Sequence, residues 1–179
     1  MPTRYRMIFA GPVGAGKTTA VRSLSDAPPV DTDVPMSATV PSDEDKTTTT
    51  VGLDFGTWRP TAEVSVALIG VPGQRRFAAA RPNVSLPGTR ILLWVRGDRD
   101  TMTTDAAEWL ALFPAERHRL IVVVSHSHDR SIASIRRALA DVLAQYGLPP
   151  SRVLAADARD RDAVMRVASA ALDLPEENR

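Results

Sequence analysis

The chain contains no cysteine. That absence removes disulfide frameworks, thiol nucleophiles and cysteine-ligated zinc together. Lysine is almost as scarce. Lys17 and Lys46 stand alone among 22 basic residues, and the arginine bias reads as the codon usage of a GC-rich bacterial genome. Against 21 acidic residues the formal charge is only +1. No basic excess therefore exists to neutralise a nucleic-acid backbone. Long apolar runs are missing too: nothing approaches the ~20 residues of a spanning helix, and the run ending at Ala10 is too short for a signal sequence. Pro175 to Arg179 offers no cysteine for prenylation. A cytoplasmic protein with no membrane span is expected.

What is present is 179 residues, about the length of one domain and enough to bury a core without staples. Four continuous apolar runs, Tyr5–Ala10, Val64–Ile69, Ile91–Val95 and Leu120–Val124, suit strands covered on both faces. Val153–Ala155 and Thr49–Trp58 add two more. Between them, Ile132, Ile135, Leu139, Val142 and Leu143 keep the spacing of one helix face. Val164, Val167, Ala168, Ala171 and Leu172 do the same, as do Met102, Ala106, Trp109, Leu110 and Phe113 less regularly. Alternating strands and helices predict an α/β fold around a mostly parallel sheet. A single domain over residues 1–174 and a short polar tail over 175–179 are expected. Asp26 to Thr50 departs from this pattern. It carries Pro28, Pro29, Pro35 and Pro41 among Asp, Ser and Thr, and a loop of that length in a compact domain usually has a function or is disordered.

Gly11-Pro-Val-Gly-Ala-Gly16-Lys17-Thr18 satisfies G-x-x-x-x-G-K-[ST]. An apolar strand precedes it, and Ala20, Val21 and Leu24 supply the buried face of a following helix. Glycines let the backbone wrap a phosphate, with the amides of Gly14, Ala15, Gly16, Lys17 and Thr18 turned inward beside the helix N-terminus. Lys17 would reach the β- and γ-phosphates and the Thr18 hydroxyl would hold Mg²⁺. Val13 and Thr19 flank the same cradle. The alternative is a strand–helix turn that binds nothing, and the Lys-Thr pair with its flanking strand and helix argues against it.

From here the chain resembles the Ras-like small GTPases. Thr50-Val-Gly-Leu-Asp-Phe55 is similar to the switch I motif of Rab- and Arf-type proteins, and Gly70-Val-Pro-Gly73-Gln74 to their switch II motif. The resemblance implies a P-loop fold with a six-stranded, mostly parallel sheet and helices on both faces. It places switch I at about residues 27–50 and switch II at about 70–87. Thr50 would bind Mg²⁺ and sense the γ-phosphate; Thr47, Thr48 and Thr49 offer the same hydroxyl, and a threonine run also suits an edge strand. Gly73 would give its amide to the γ-phosphate and Gln74 would orient the attacking water. Gly70 stands where the family has an aspartate. That variant and the Thr-Thr-Thr-Thr-Val-Gly-Leu-Asp-Phe-Gly run resemble the GTPases of actinomycete conservon operons, distant relatives of gliding-motility polarity GTPases. Without the aspartate, either Mg²⁺ binding is weaker or Asp43, Glu44 or Asp45 replaces it.

The base-recognition motif is degenerate. Where the family has Asn-Lys-x-Asp, this chain has Ser125-His126-Ser127-His128-Asp129. Aligned on Asp129, His126 takes the asparagine position and would donate to N7. Ser127 takes the lysine position with no stem to lie over a base, and Asp129 would accept from guanine N1–H and the 2-amino group. An ordinary polar loop is the alternative. Ala156-Asp157-Ala158-Arg159 resembles the family's Ser-Ala-Lys loop, with the Ala158 amide facing guanine O6 and Arg159 covering the base face. Asp157 or Asp160 would also cap the last helix. Arg75 and Arg76 read as solvent-facing or as an internal arginine finger. His118, His126 and His128 lack a metal-ligand helix spacing. Trp58, Trp94 and Trp109 read as packing residues, with an exposed Trp58 as a partner surface in the alternative.

The resemblance implies a GTP/GDP switch with Mg²⁺, slow partner-stimulated hydrolysis, roadblock-type regulators and an effector protein. The rival readings are a hydrolysis-deficient nucleotide-binding scaffold or effector-binding module, and an adenine-nucleotide kinase or ATPase.

Overall fold

The computed structural model describes residues 2–28, 30–32, 53–73, 84–128 and 130–173. Thr50, Gln74 and Asp129 lie outside the described residues, as do Asp43, Glu44, Asp45, Lys46, Arg75 and Arg76. The strands are β1 (Thr3–Ala10), β2 (Val30–Thr32), β3 (Leu53–Thr61), β4 (Val64–Gly70), β5 (Thr89–Arg96), β6 (Leu120–Ser125) and β7 (Val153–Ala155). The helices are α1 (Lys17–Leu24), α2 (Met102–Leu110), α3 (Ile132–Ala138), α4 (Ala140–Gln145) and α5 (Arg161–Leu172). One sheet carries the strands in the order β2-β3-β4-β1-β5-β6-β7. The β1–β4, β1–β5, β5–β6 and β6–β7 pairings are parallel, whereas β3 runs antiparallel to both β2 and β4. The six expected strands are all there, and the three-residue β2 adds a seventh at the edge.

The continuous apolar runs are continuous because both faces are covered. Along β1, Met7 and Phe9 enter one layer with α1 and α5, while Ile8 and Ala10 enter the other with α2, α3 and α4. β5 divides the same way, with Leu92 and Trp94 on the first face and Ile91, Leu93 and Val95 on the second. Each such large side chain taken from water contributes about 1.5–3 kcal/mol. Trp58, Trp94 and Trp109 all belong to this core, at 3%, 0% and 6% exposure, which removes Trp58 as a partner surface. The helix expected from Ile132 to Leu143 is two segments, because Leu139 closes α3 and opens α4. No described helix is long and apolar enough to cross a membrane.

Two polar devices fix α1 and α5. Arg161 Nη1 donates to the carbonyls of Ser23 and Leu24 at 2.8 and 2.9 Å, and its Nη2 pairs with Asp26 at 2.8 Å. The open C-terminal end of α1 thus meets a cation, as its dipole favours. Asp160 caps α5, its Oδ1 accepting from the amides of Asp162 and Ala163. Asp160→Ala should cost about 1 kcal/mol of folding stability, read as a lower urea midpoint at unchanged slope, with Asp160→Asn close to wild type. An unshifted midpoint for the alanine variant would show that the cap contributes nothing.

Candidate functional site

The loop between β1 and α1 turns where β1 reaches the C-terminal edge of the sheet. Gly11, Gly14 and Gly16 have φ of 132°, 79° and 95°, angles that side chains with a β-carbon rarely adopt. At Gly11 space forbids a side chain as well: a β-carbon would lie 2.0 Å from the Trp94 carbonyl oxygen. α1 starts at Lys17 with no side-chain cap and no acid in its first turn. Its first amides therefore face the loop without an anionic partner from that turn, the arrangement that suits a bound phosphate.

Lys17 Nζ donates to the carbonyls of Gly11 and Pro12, both at 2.7 Å, with the residue only 8% exposed. Burial lowers its pKa to about 8, against the opposing pull of the Asp54 carboxylate. Gly73 closes on the same loop. A β-carbon there would lie 2.6 Å from the Val13 amide nitrogen and 2.8 Å from Lys17 Nζ. The glycine of the switch II-like motif and the phosphate loop are thus in contact. Val13 itself points outward at 58% exposure. Gly14, Gly16, Lys17, Thr18, Thr19 and His126 line a cavity of about 270 Å³.

Three residues that sequence reasoning did not single out complete this region. Asp54 on β3 pairs in register with Gly70 on β4, and a β-carbon on Gly70 would stand 3.0 Å from both Cβ and Oδ2 of Asp54. The Asp54 side chain fills the space that Gly70 leaves, and its Oδ2 accepts from the Thr18 hydroxyl at 2.5 Å. Arg96, at the end of β5, donates through Nη1 to the Gly14 carbonyl at 3.3 Å. It is held by Asp98 at 2.9 and 2.5 Å, and that bond keeps the Asp98 carboxyl at about 2. Ser125 is 1% exposed and its hydroxyl donates to the Ala15 carbonyl at 2.8 Å. Asp54 and Ser125 stand inside the switch I-like and base-recognition motifs, but neither motif points to these contacts.

The expected base-binding segments come together. Ser125, His126, Ser127 and His128 line a second cleft, of about 190 Å³, with Ala156, Asp157, Ala158 and Arg159. His126 lines both cavities. His126 and His128 have positive φ, 50° and 37°, and Ser127 packs against Gly97, where a β-carbon would lie 3.2 Å from its Cα. The Ala158 methyl sits against Gly16, and its carbonyl accepts from the Ser23 hydroxyl at 2.8 Å. Arg159 is clasped by Asp157 at 3.0 and 2.7 Å, a bond that holds the Asp157 carboxyl at about 2. His118 lies away from both cavities, accepting from Arg119 at 2.8 Å.

No protein-family model and no curated protein sequence matches the chain. Solved structures do. The G domain of the Thermotoga maritima FeoB iron transporter superposes with a TM-score of 0.62 at 12% identity, covering 96% of this chain and 99% of that one. The chain has the G-domain P-loop NTPase fold. The cytosolic domain of the same transporter in its GDP form gives 0.62 at 12% identity over 99% of this chain and 66% of that one. Its apo form gives 0.61 at 12% over 98% and 66%.

Lys17 sets a pH window. Its folded pKa is depressed, so above about 8 the folded chain holds fewer protons than the unfolded one. Stability of the ligand-free protein should rise with pH from there toward the ordinary lysine value, as the cost of the buried ammonium fades. If Lys17 is a phosphate ligand, phosphate binding should run the other way, because it would use the ammonium. Affinity for methyl diphosphate, whose own charge is constant in alkali, should fall as pH rises beyond about 8, measured by titration calorimetry. A flat profile there would remove Lys17 as a phosphate ligand.

Proposed function

We propose that the chain is a small GTP-binding molecular switch of Ras-like type, a single domain over residues 1–174. One observation carries this reading: the phosphate-loop cavity and the cleft between the loops after β6 and β7 meet at His126. A ligand with a phosphate tail and a flat base can span the two. The likeness to a G domain whose transporter has been solved with GDP supports guanine as that base.

In this reading the amides of Gly14, Ala15, Gly16, Lys17 and Thr18 cradle the phosphates, Val13 and Thr19 flank them, and the Lys17 ammonium reaches toward the β- and γ-phosphates. Gly73 gives its amide to the γ-phosphate, and Thr50 and Gly73 are ordered by it and released on hydrolysis. Gln74 orients the water. Asp129 and the Ala158 amide read the base edge, with Ser127 beside it and Arg159 over its face. Hydrolysis is slow until a partner completes the site, as is usual for such proteins. A roadblock-type regulator, an effector protein and a cytoplasmic setting follow from the resemblance to conservon-operon GTPases.

The oxygen donors suit Mg²⁺. The Thr18 hydroxyl and the Asp54 carboxylate already meet, and both are hard ligands of the kind this ion takes. Thr18, Thr50 and Asp54 would hold it directly or through its waters, and it would neutralise charge on the β- and γ-phosphate oxygens. Asp54 thereby takes the task that Gly70 cannot perform, a candidate with described geometry in place of Asp43, Glu44 or Asp45.

Two measurements test the proposal. Protein purified without added nucleotide should carry GDP or GTP, and single-turnover GTP hydrolysis should be slow and fall at least about tenfold in Gln74→Ala. Adenine nucleotide in the purified protein would favour the kinase or ATPase reading. No phosphate release with any partner would leave a binding module only.

The carboxylate exchange has its own test. Asp54→Ala should weaken Mg²⁺-dependent nucleotide binding about 10–100-fold. Gly70→Asp alone should not help, because its side chain meets Asp54. The double variant should recover most of the loss. Failure of the double variant to exceed Asp54→Ala would sink the idea that the two positions share one carboxylate.

A further inference from the structure

Ser125 determines what His126 can do. The serine hydroxyl has one proton, and its shortest acceptor is the Ala15 carbonyl at 2.8 Å, ahead of the Val95 carbonyl at 3.3 Å. Its remaining lone pair faces His126 Nδ1 at 3.0 Å. The tautomer that keeps the Ala15 bond has the imidazole proton on Nδ1, donated to Ser125, with Nε2 as an acceptor. Burial, and next the Arg96 guanidinium, disfavour a second proton, opposed more weakly by Asp98 and Asp157 and seconded by His128. A neutral ring in this tautomer has no N–H left for purine N7, itself an acceptor. In that tautomer His126 has no proton for the edge-donor role expected at the asparagine position, and Ser125 ties β6 to the phosphate loop.

What His126 still offers is its face. Its backbone adopts a φ of 50° just after β6, and the residue lines both the phosphate cavity and the adjoining cleft. The same cleft is lined from the loop after β7 by Arg159, whose flat guanidinium is fixed by two bonds to Asp157 and whose side chain is 81% exposed. Aromatic rings and arginine planes are the two kinds of side chain on which bases stack with little regard to their edges.

We propose that His126 is a stacking residue of a purine-nucleotide site, set in place by Ser125 and working with the Arg159 guanidinium as a second flat surface. This deepens the nucleotide-binding reading and rests on it. His126 supplies the contact for which Ser127, with its short side chain, has no stem. The hydroxyl of Ser125 is a positioning group that acts through the ring.

Titration calorimetry on the full chain with Mg²⁺ tests this, using GDP and methyl diphosphate, which shares the phosphates and lacks the base. His126→Ala should weaken GDP roughly tenfold and methyl diphosphate by much less, with an unshifted urea midpoint certifying the fold. His126→Phe, which stacks but has no nitrogen for Ser125 to hold, should bind GDP more tightly than the alanine variant and less tightly than wild type. His126→Asn, which offers an edge donor without a stacking ring, should stay as weak as the alanine variant. Wild-type affinity in His126→Asn with His126→Phe as weak as the alanine variant would overturn the proposal in favour of an edge contact. Unchanged GDP binding in His126→Ala would overturn it outright. Wild-type protein that fails to bind GDP defeats the guanine-nucleotide reading beneath the proposal, whereas tight GDP binding that His126→Ala leaves untouched defeats the stacking site alone.

Discussion

Gly11 lies so close to the backbone of Trp94 that a β-carbon would stand 2.0 Å from its carbonyl oxygen, and this contact fixes where the chain leaves the sheet. β1 is bracketed by β4 and β5 in parallel register, so its end is held from both sides. Trp94 is wholly buried and stacks on Phe9 with ring centroids 6.3 Å apart. A rigid floor of this kind leaves the phosphate loop little freedom except to turn over the edge. Its glycines accept the turn, and α1 begins where the turn ends. Every other element of the site is placed by reference to that loop: Gly73 against Val13, Ser125 against Ala15 and Ala158 against Gly16.

The electrostatics of the site are local. A chain with charge +1 has no field to steer an anion, and the attraction must come from loop amides, the helix end and one ammonium. That ammonium is buried among carbonyls, so in the ligand-free protein it is a cost that a phosphate would relieve. Binding and stability are therefore linked through the same side chain. Apart from Asp54, two acids near the loop are committed elsewhere: Asp98 to Arg96 and Asp157 to Arg159. Such internal pairing keeps carboxylates close to the site without presenting them to an anionic ligand. It also explains how arginines stand beside the loop while contributing little free charge. Exposed pairs of this kind add little to stability; their effect here is on geometry.

The legible part of the molecule was the part encoded by short spacing. A fixed interval between glycines and a Lys-Thr pair marks the phosphate loop, and apolar runs mark strands covered twice. α3 and α4 were harder, since the spacing from Ile132 to Leu143 is that of one helix and only the backbone at Leu139 interrupts it. β2 was invisible because three residues carry no period. The base segment shows a different limit. An alignment of letters gives His126 an asparagine's hydrogen bonds and says nothing of the serine hydroxyl that stands 3.0 Å from its Nδ1. Tautomer and register are properties of pairs that meet in space, and neither is written in the order of residues.

Asp54 illustrates the same limit and carries it further. Nothing in the sequence interval between Asp54 and Gly70 announces that they are neighbours; the antiparallel pairing of β3 with β4 makes them so. Once paired, the two positions behave as one volume, because a side chain at either nearly excludes a side chain at the other. A carboxylate can therefore move from β4 to β3 without moving in space. The change matters for coupling. In the proposed switch, a carboxylate on β4 would belong to the strand that leads into Gly73, whereas Asp54 belongs to the strand that follows Thr50. Two of the oxygen donors proposed for the metal then lie on one stretch of chain, so a shift at the start of β3 would disturb both together. The loss of an aspartate at Gly70 is in that light a transfer of control from one switch segment to the other.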